Sequence, residues 1–411
     1  MRLYHITTER FTNFSIAFFM VTFVGMYYSE YIKLVWVGYI LLTISICMNS
    51  IKRKLFNPSV WHYVGWGLLF TWFCFTSIIW SYDFKVSVSY FNQLMKVIGI
   101  FLLFILLMQS ENRLKIALLW LCIGATLYGL LYLLHIDITQ LGASRLSVTN
   151  SSDGQTLPNY NLVSMYVAFA AIYFVWRLLL SNQQCSNVIR IALISILIIS
   201  VITVFIFGSR KSILMLFMGI AYFIFCSHLK MKTRFALTFL IACSVIIVLI
   251  LLPEVYVDYL ISRFESLITS NQGSRLEAGD QERIKLYMYA EEFILRNPIF
   301  GNGFYCFSPM FLNATGKFLY AHNNYVEVIC DLGIIGLLIL YYPILKSTYR
   351  GWKIRNRSSL CNILTILGIL NLFGGLFIVT FLDRITWLIC GIIYIGINME
   401  YKKLLSKRKP T

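Results

Sequence analysis

Long apolar stretches without charged residues recur along the whole chain, and short polar connections separate most of them. A helix needs about 20 apolar residues to cross the hydrocarbon core of a bilayer. The pattern therefore predicts an all-α polytopic membrane protein with about twelve transmembrane helices. The predicted spans are residues 11–28, 32–48, 60–80, 91–108, 114–134, 161–180, 188–208, 212–229, 235–252, 324–345, 360–380 and 385–400.

The composition excludes a water-soluble fold. Apolar residues make up 59% of the 411 residues and charged residues only 13%, which is too little charge to cover the surface of a soluble protein. Most of the ten cysteines lie in or beside apolar segments. They therefore indicate neither a disulfide framework nor a metal site.

The distribution of basic residues predicts the orientation in the membrane. Most of the 35 Lys and Arg residues lie on one side of the predicted spans, where the accompanying acids are Glu9, Glu111 and Glu400. Short cytoplasmic loops collect Lys and Arg, so both termini are expected in the cytoplasm. This distribution also accounts for the net charge of +17. It argues against nucleic-acid binding, because the basic residues are not gathered on one face.

Two connections on the outer side are much longer than a turn requires, residues 135–160 and 253–323. Long loops are usually functional or disordered. In the second connection, the spacing of apolar residues predicts an amphipathic helix over Val257–Ile268 and another helix over 281–296. We therefore expect a long, partly helical cap on the periplasmic or outer face. The predicted divisions are a transmembrane bundle of about nine spans (1–252), the cap (253–323), and three spans with a basic cytoplasmic tail (324–411).

Basic residues also occur on the outer side, where the charge rule does not expect them. Arg210 and Lys211 occupy a connection of almost no length. They are interpreted either as a turn whose cations reach lipid head groups or as an anion site, since a guanidinium matches two phosphate oxygens at once. Arg283 is placed in the first turn of the predicted helix 281–296, where a cation is unfavourable unless an anion binds there. The alternative is a solvated charge or a partner for Glu282 or Asp280.

The junction between the cap and the span that begins near residue 324 holds the other candidate residues. His322 is followed by Asn323 and Asn324, and Glu327 and Asp331 continue the same helical face. A lone histidine at a membrane interface is more often structural, but these amides and carboxylates favour a functional role. The two carboxylates are expected to need basic partners. The outer side carries no carboxylate cluster with metal-ligand spacing, so no metal site is predicted.

Three segments resemble the O-antigen ligase and polymerase superfamily of bacterial surface-polysaccharide assembly. They are GSRKS, QERIKLYMYAEEFILRNPIFGNGF and YAHNNYVEVICDLGIIGLLILYYP, and the resemblance covers residues 200–345. It implies a metal-independent glycosyltransferase of the bacterial inner membrane that needs no cofactor. The donor would be an undecaprenyl-pyrophosphate-linked oligosaccharide, bound at the periplasmic or outer face. The bilayer and a chain-length regulator in the membrane are the other expected partners.

The resemblance also implies a set of site residues. Arg210, Arg283 and His322 match the catalytic set, and the residues expected to bind substrate are Lys211, Asn323, Asn324 and Glu327. The chemistry of these side chains agrees with glycosyl transfer. Arginines would stabilise the pyrophosphate leaving group, and neutral His322 would accept the proton of the attacking hydroxyl.

Three functions remain open from the sequence. A polymerase transfers the glycan to another lipid-linked repeat unit, and a ligase transfers it to lipid A core; the motif pattern favours the polymerase. A transporter of lipid-linked sugars would place charges in a cavity near the middle of the membrane and show repeat symmetry. Here most spans lack any charge near their centre, which argues against the transporter.

Overall fold

The structure is a computed structural model, and in the ranges it describes the chain is helical, with turns and no β-strand. Those ranges are residues 2–26, 32–51, 57–134, 160–181, 185–226, 231–232, 234–235, 238–239 and 278–406. The all-α fold class is thereby confirmed. The helices are α1 (Arg2–Gly25), α2 (Ile32–Ile51), α3 (Pro58–Ser77, continued by a 3-10 turn, Ile78–Trp80), α4 (Phe84–Leu106), α5 (Glu111–Leu133), α6 (Tyr160–Leu179), α7 (Asn187–Ile206), α8 (Arg210–Cys226), α9 (Ala278–Arg296), α10 (Phe307–Thr315), α11 (Asn324–Ile354), α12 (Ser359–Gly374) and α13 (Arg384–Ser406).

Every predicted span overlaps one of these helices except 235–252, which lies almost entirely outside the described residues. The predicted span 360–380 is too long, because α12 ends at Gly374 and a turn follows. Among the residues that the structure describes, seven segments are long and apolar enough to cross a membrane. The count of twelve stays a prediction. The seven are Lys33–Ser50, Pro58–Trp80, Phe84–Leu106, Glu111–Leu133, Tyr160–Leu179, Asn187–Ile206 and Asn324–Ile354.

The chain forms two compact units that each combine distant parts of the sequence. The first contains Met1–Ser45, Asn112–Ser274 and Arg355–Leu370, and the second contains Ile46–Glu111, Arg275–Ile354 and Asn371–Thr411. The three-part division expected from the sequence stays a prediction.

In the first unit, small residues bring neighbouring helices into close contact, and most of the side chains of α6 are buried. A Cβ atom at Gly124 of α5 would lie only 2.9 Å from the carbonyl oxygen of Met20 in α1. The hydroxyl groups of Thr126 and Ser200 join α5 to α7 by a hydrogen bond of 2.9 Å. Small side chains and interhelical hydrogen bonds of this kind hold helices together where lipid supplies no hydrophobic driving force.

In the second unit, aromatic side chains from several helices fill the centre. The ring of Trp387 in α13 lies 5.0 Å from that of Trp66 in α3 and 5.5 Å from that of Phe101 in α4, centroid to centroid. Both indole N–H groups are satisfied: Trp66 donates to the carbonyl of Ile339 (2.6 Å) and Trp387 to that of Phe381 (2.8 Å). The aromatic centre therefore buries large rings without leaving a donor unpaired.

The described part of the cap, residues 278–323, folds onto the beginning of α11. Helix α9 covers the helix predicted over 281–296 and starts three residues earlier, at Ala278. The predicted helix Val257–Ile268, and residues 135–159 of the other outer connection, lie outside the described residues. One apolar cluster joins α9, α10 and α11; it consists of Leu286, Ala290, Phe293, Cys306, Phe307, Met310, Phe311, Ala321 and Cys330.

Helix α11 is broken at Gly333, where φ is 65° and ψ is −171°. Glycine is essentially the only residue that adopts this conformation. The loop of residues 297–303 lies against the break so closely that a Cβ atom at Gly333 would overlap the carbonyl of Ile299. This loop also supplies partners for backbone groups that the break leaves without a helical partner. The bonds run from Asn302 N to Cys330 O (2.9 Å), from Gly303 N to Asp331 O (2.9 Å) and from Ile334 N to Pro298 O (3.0 Å).

Candidate functional site

The predicted site residues are divided between the two units. Arg210 and Lys211 belong to the first unit, and the remaining predicted residues belong to the second. Arg210 and Lys211 are the first two residues of α8, directly after a turn at Gly208, whose φ is 57°. Both side chains are half-buried. Cations do not complement the positive end of a helix dipole, and an anion bound there would offset this cost. The phosphate site stays a prediction.

Arg283 is exposed and lies in the second turn of α9. The expectation of a place in the first turn is wrong, because the helix begins at Ala278; the dipole argument therefore does not apply to this residue. The neighbouring Glu282 forms an ion pair with Lys317, with 3.0 Å between Oε1 and Nζ. Glu282 thus has a basic partner that the sequence did not identify.

His322 occupies the turn between the cap and α11, and its side chain is half-buried. Its φ of 56° is in the left-handed region, which is unfavourable for residues with a side chain. The imidazole lies 4.1 Å from the ring of Tyr320, centroid to centroid. Asn323 follows as the cap of α11, because its Oδ1 accepts hydrogen bonds from the amides of Tyr325 (3.0 Å) and Val326 (3.3 Å). The helix start therefore fixes the backbone on the C-terminal side of His322.

Asn324 is nearly buried and connects α11 to the turn between α12 and α13. Its Oδ1 accepts hydrogen bonds from the amides of Thr380 (2.8 Å) and Phe381 (3.1 Å), and its Nδ2 donates to the hydroxyl of Tyr341. A cavity of about 20 Å³ lies beside these groups, which is room for roughly one water molecule. These contacts give Asn324 a structural role that the sequence did not indicate.

Glu327 and Asp331 are fully buried, each with 0% of its surface exposed. Glu327 accepts a hydrogen bond through Oε2 from the amide of Ala321. Asp331 accepts two through Oδ1, from the amides of Cys306 (2.9 Å) and Phe307 (2.8 Å), and so caps α10. Backbone amides of the cap are the partners here, where the sequence led us to expect basic side chains. Because Glu327 has no exposed surface, it contacts a substrate only if the cap opens.

Tyr305 in the cap has an unusual backbone conformation that the sequence did not indicate. Its φ of 58° is also in the left-handed region. Its ring stacks on that of Tyr90 in α4, with 3.4 Å between centroids. Burial, and then a hydrogen bond with Tyr90, raise the pKa of Tyr305 well above its usual value. The sequence GNGFYCF indicates a tight turn, but nothing in it tells which residue takes the left-handed conformation.

Apolar helices and a folded cap on the start of α11 define a polytopic membrane protein. Residues 194–341 match the profile of a family described as O-antigen ligase. The match confirms the resemblance to the O-antigen ligase and polymerase superfamily, whose members act in O-antigen assembly. No curated protein matches the chain. The matched segment contains Arg210, Arg283 and His322.

Proposed function

We propose that this protein is an O-antigen or capsule polysaccharide polymerase. It is an integral-membrane, inverting glycosyltransferase that joins undecaprenyl-pyrophosphate-linked repeat units at the periplasmic or outer face of the inner membrane. One observation carries the proposal: Arg210, Arg283 and His322, one from each motif, all lie inside the segment that matches the O-antigen ligase family.

Arg210 and Arg283 bind the pyrophosphate of the donor in this mechanism. Negative charge grows on the leaving pyrophosphate as its bond to the anomeric carbon breaks. Guanidinium groups stabilise that charge through paired hydrogen bonds, and more strongly at a membrane interface than in bulk water. The start of α8 supports this role for Arg210, because backbone amides there add to the attraction for an anion.

His322 accepts the proton of the attacking hydroxyl. The hydroxyl oxygen forms a bond to the anomeric carbon of the donor sugar, and undecaprenyl pyrophosphate leaves with the electron pair of the broken bond. A neutral imidazole has the basicity for this step near neutral pH. No protein nucleophile takes part, so the single displacement inverts the configuration of the anomeric carbon. Lys211 and Asn323 are the proposed substrate contacts beside these groups.

The test uses purified protein in lipid nanodiscs with the lipid-linked repeat unit. Arg210→Lys and Arg283→Lys should each lose most of the polymerisation activity, because a point charge replaces a two-pronged donor. Arg296→Lys is the matched control: Arg296 is exposed at the end of the same helix as Arg283 and pairs with Glu292 (2.6 Å). Normal glycan ladders from both site variants would refute the assignment of the arginines.

Ligase activity is the second candidate, because the matching family is described as O-antigen ligase. The two functions share the chemistry and differ in the acceptor. Donor alone should give a ladder of lengthening glycans if the protein is a polymerase. A single transfer that requires added lipid A core would identify a ligase instead.

A further inference from the structure

Two buried carboxylates, one helical turn apart, hold the two ends of a single cap segment against α11. The segment runs from residue 305 to residue 322. Asp331 accepts hydrogen bonds from the amides of Cys306 (2.9 Å) and Phe307 (2.8 Å) near its start. Glu327 accepts one from the amide of Ala321 at its end. Side-chain hydrogen bonds to α11 therefore attach both ends of the segment.

The residues next to these bonds have unfavourable backbone conformations. Tyr305 has φ of 58° and His322 has φ of 56°, and in the part of the chain that the structure describes they are the non-glycine residues with positive φ. Such conformations cost roughly 1–3 kcal/mol each and persist only where the surroundings enforce them. The bonds to Asp331 and Glu327 involve the residues directly next to these two positions, so they contribute to holding both conformations.

Each carboxylate uses only one of its oxygens in this way. Oε1 of Glu327 and Oδ2 of Asp331 are buried and make no hydrogen bond within the protein. A buried polar atom without a partner costs roughly 1–3 kcal/mol. This arrangement is not the one that stability alone would select, and such exceptions concentrate at functional sites.

We propose that Glu327 and Asp331 are positioning residues, which fix the backbone of residues 305–322 and thereby aim the imidazole of His322 at the acceptor hydroxyl. The inference rests on the proposed function, in which His322 is the base. It replaces the substrate contact expected of Glu327 with an indirect role. Glu327 is the more direct of the two, because the amide it holds immediately precedes His322.

The effect expected from losing this bond is on the chemical step. A general base works only within about 2.6–3.2 Å of the proton that it removes. A displacement of about 1 Å lowers the rate by up to roughly 10²-fold. Arg210 and Arg283, the proposed donor contacts, lie outside residues 305–322, so we expect kcat to fall while KM for the donor stays unchanged.

The test compares two replacements of Glu327: one keeps a side-chain oxygen that can accept the hydrogen bond, and the other removes it. Glu327→Gln keeps a carbonyl oxygen for the amide of Ala321, and transfer should stay within about threefold of the wild-type rate. Glu327→Met keeps the size but removes the acceptor, and kcat should fall at least about tenfold at constant donor KM. Glu292→Met, at an exposed position of α9, controls for the lost charge. Should the Gln variant lose as much as the Met variant, the charge and not the bond would be required, and the proposal would be overturned.

A double-mutant cycle separates this inference from the proposed function. In a His322→Gln background, Glu327→Met should cause no further loss, because its effect passes through His322. Multiplicative losses would overturn the positioning role. Normal activity of His322→Gln alone would instead refute His322 as the base. If the Glu327→Met protein does not accumulate in cells, Glu327→Asp replaces it in the test. This variant keeps the carboxyl group but shortens the side chain by one methylene, so that it no longer reaches the amide of Ala321. A normal kcat in this variant would overturn the proposal.

Discussion

Replacing Gly333 with alanine should destabilise the junction between α11 and the cap by about 3 kcal/mol or more, from two effects. A residue with a side chain at φ 65° and ψ −171° costs roughly 1–3 kcal/mol. The new Cβ would also overlap the carbonyl of Ile299, so the loop 297–303 must move. Each hydrogen bond from this loop that is lost costs about 0.5–1.5 kcal/mol more.

Two other glycines separate these effects. Gly316 has φ of 76° but open space around it, so Gly316→Ala should cost only about 1–2 kcal/mol, for the left-handed backbone. Gly65 lies within α3 with nothing within 4 Å of a new Cβ, and alanine there should be neutral or slightly stabilising. Thermal unfolding of the purified protein, followed by tryptophan fluorescence, should rank the variants in that order, with Gly333→Ala least stable. If the Gly333→Ala variant has the same unfolding temperature as the Gly65→Ala variant, the break in α11 is refuted.

Further predictions concern the reaction and single contacts. Transfer should continue in excess EDTA; activity that returns only when Mg²⁺ or Mn²⁺ is added would contradict a metal-independent mechanism. Tyr305→Leu should lower stability by about 0.5–1.5 kcal/mol through loss of the ring pair with Tyr90, and Tyr305→Phe should lose less; thermal unfolding compares them. Asn324→Ala should lower the unfolding temperature more than Asn324→Asp, because only alanine leaves two buried backbone amides without an acceptor. Lys317→Ala should change stability by less than about 1 kcal/mol, since its pair with Glu282 is exposed to solvent.

The sequence predicted the helices well where an apolar run alone decides the structure. The span expected at 188–208 is α7, Asn187–Ile206, because hydropathy and length suffice there. The break at Gly333 could not be predicted, since the spacing of the surrounding residues indicates one continuous helix. The break depends on backbone partners from the loop 297–303, which the chain supplies some 30 residues earlier.

The sequence indicated the residue types of the candidate site and their positions in the chain. It did not indicate the contacts that these residues make. The sequence correctly placed His322 and Asn323 at the start of a helix. It assigned basic partners to Glu327 and Asp331, whereas cap amides fill that role. Any carboxylate in an apolar segment needs a partner, but which group provides it depends on the folding of a distant segment. The conformation of Tyr305 was missed for the same reason.

The break in α11 also bears on how this helix enters the membrane. The segment that follows the break, residues 334–345, contains no charged residue, whereas Glu327 and Asp331 precede it. An aspartate at the centre of an inserting helix costs about 2.5–3.5 kcal/mol at the translocon. Glu327 and Asp331 precede the break, where cap amides bond to them. Since the cap precedes α11 in the chain, these amides are synthesised before the two acids, and the partners are already present when α11 folds.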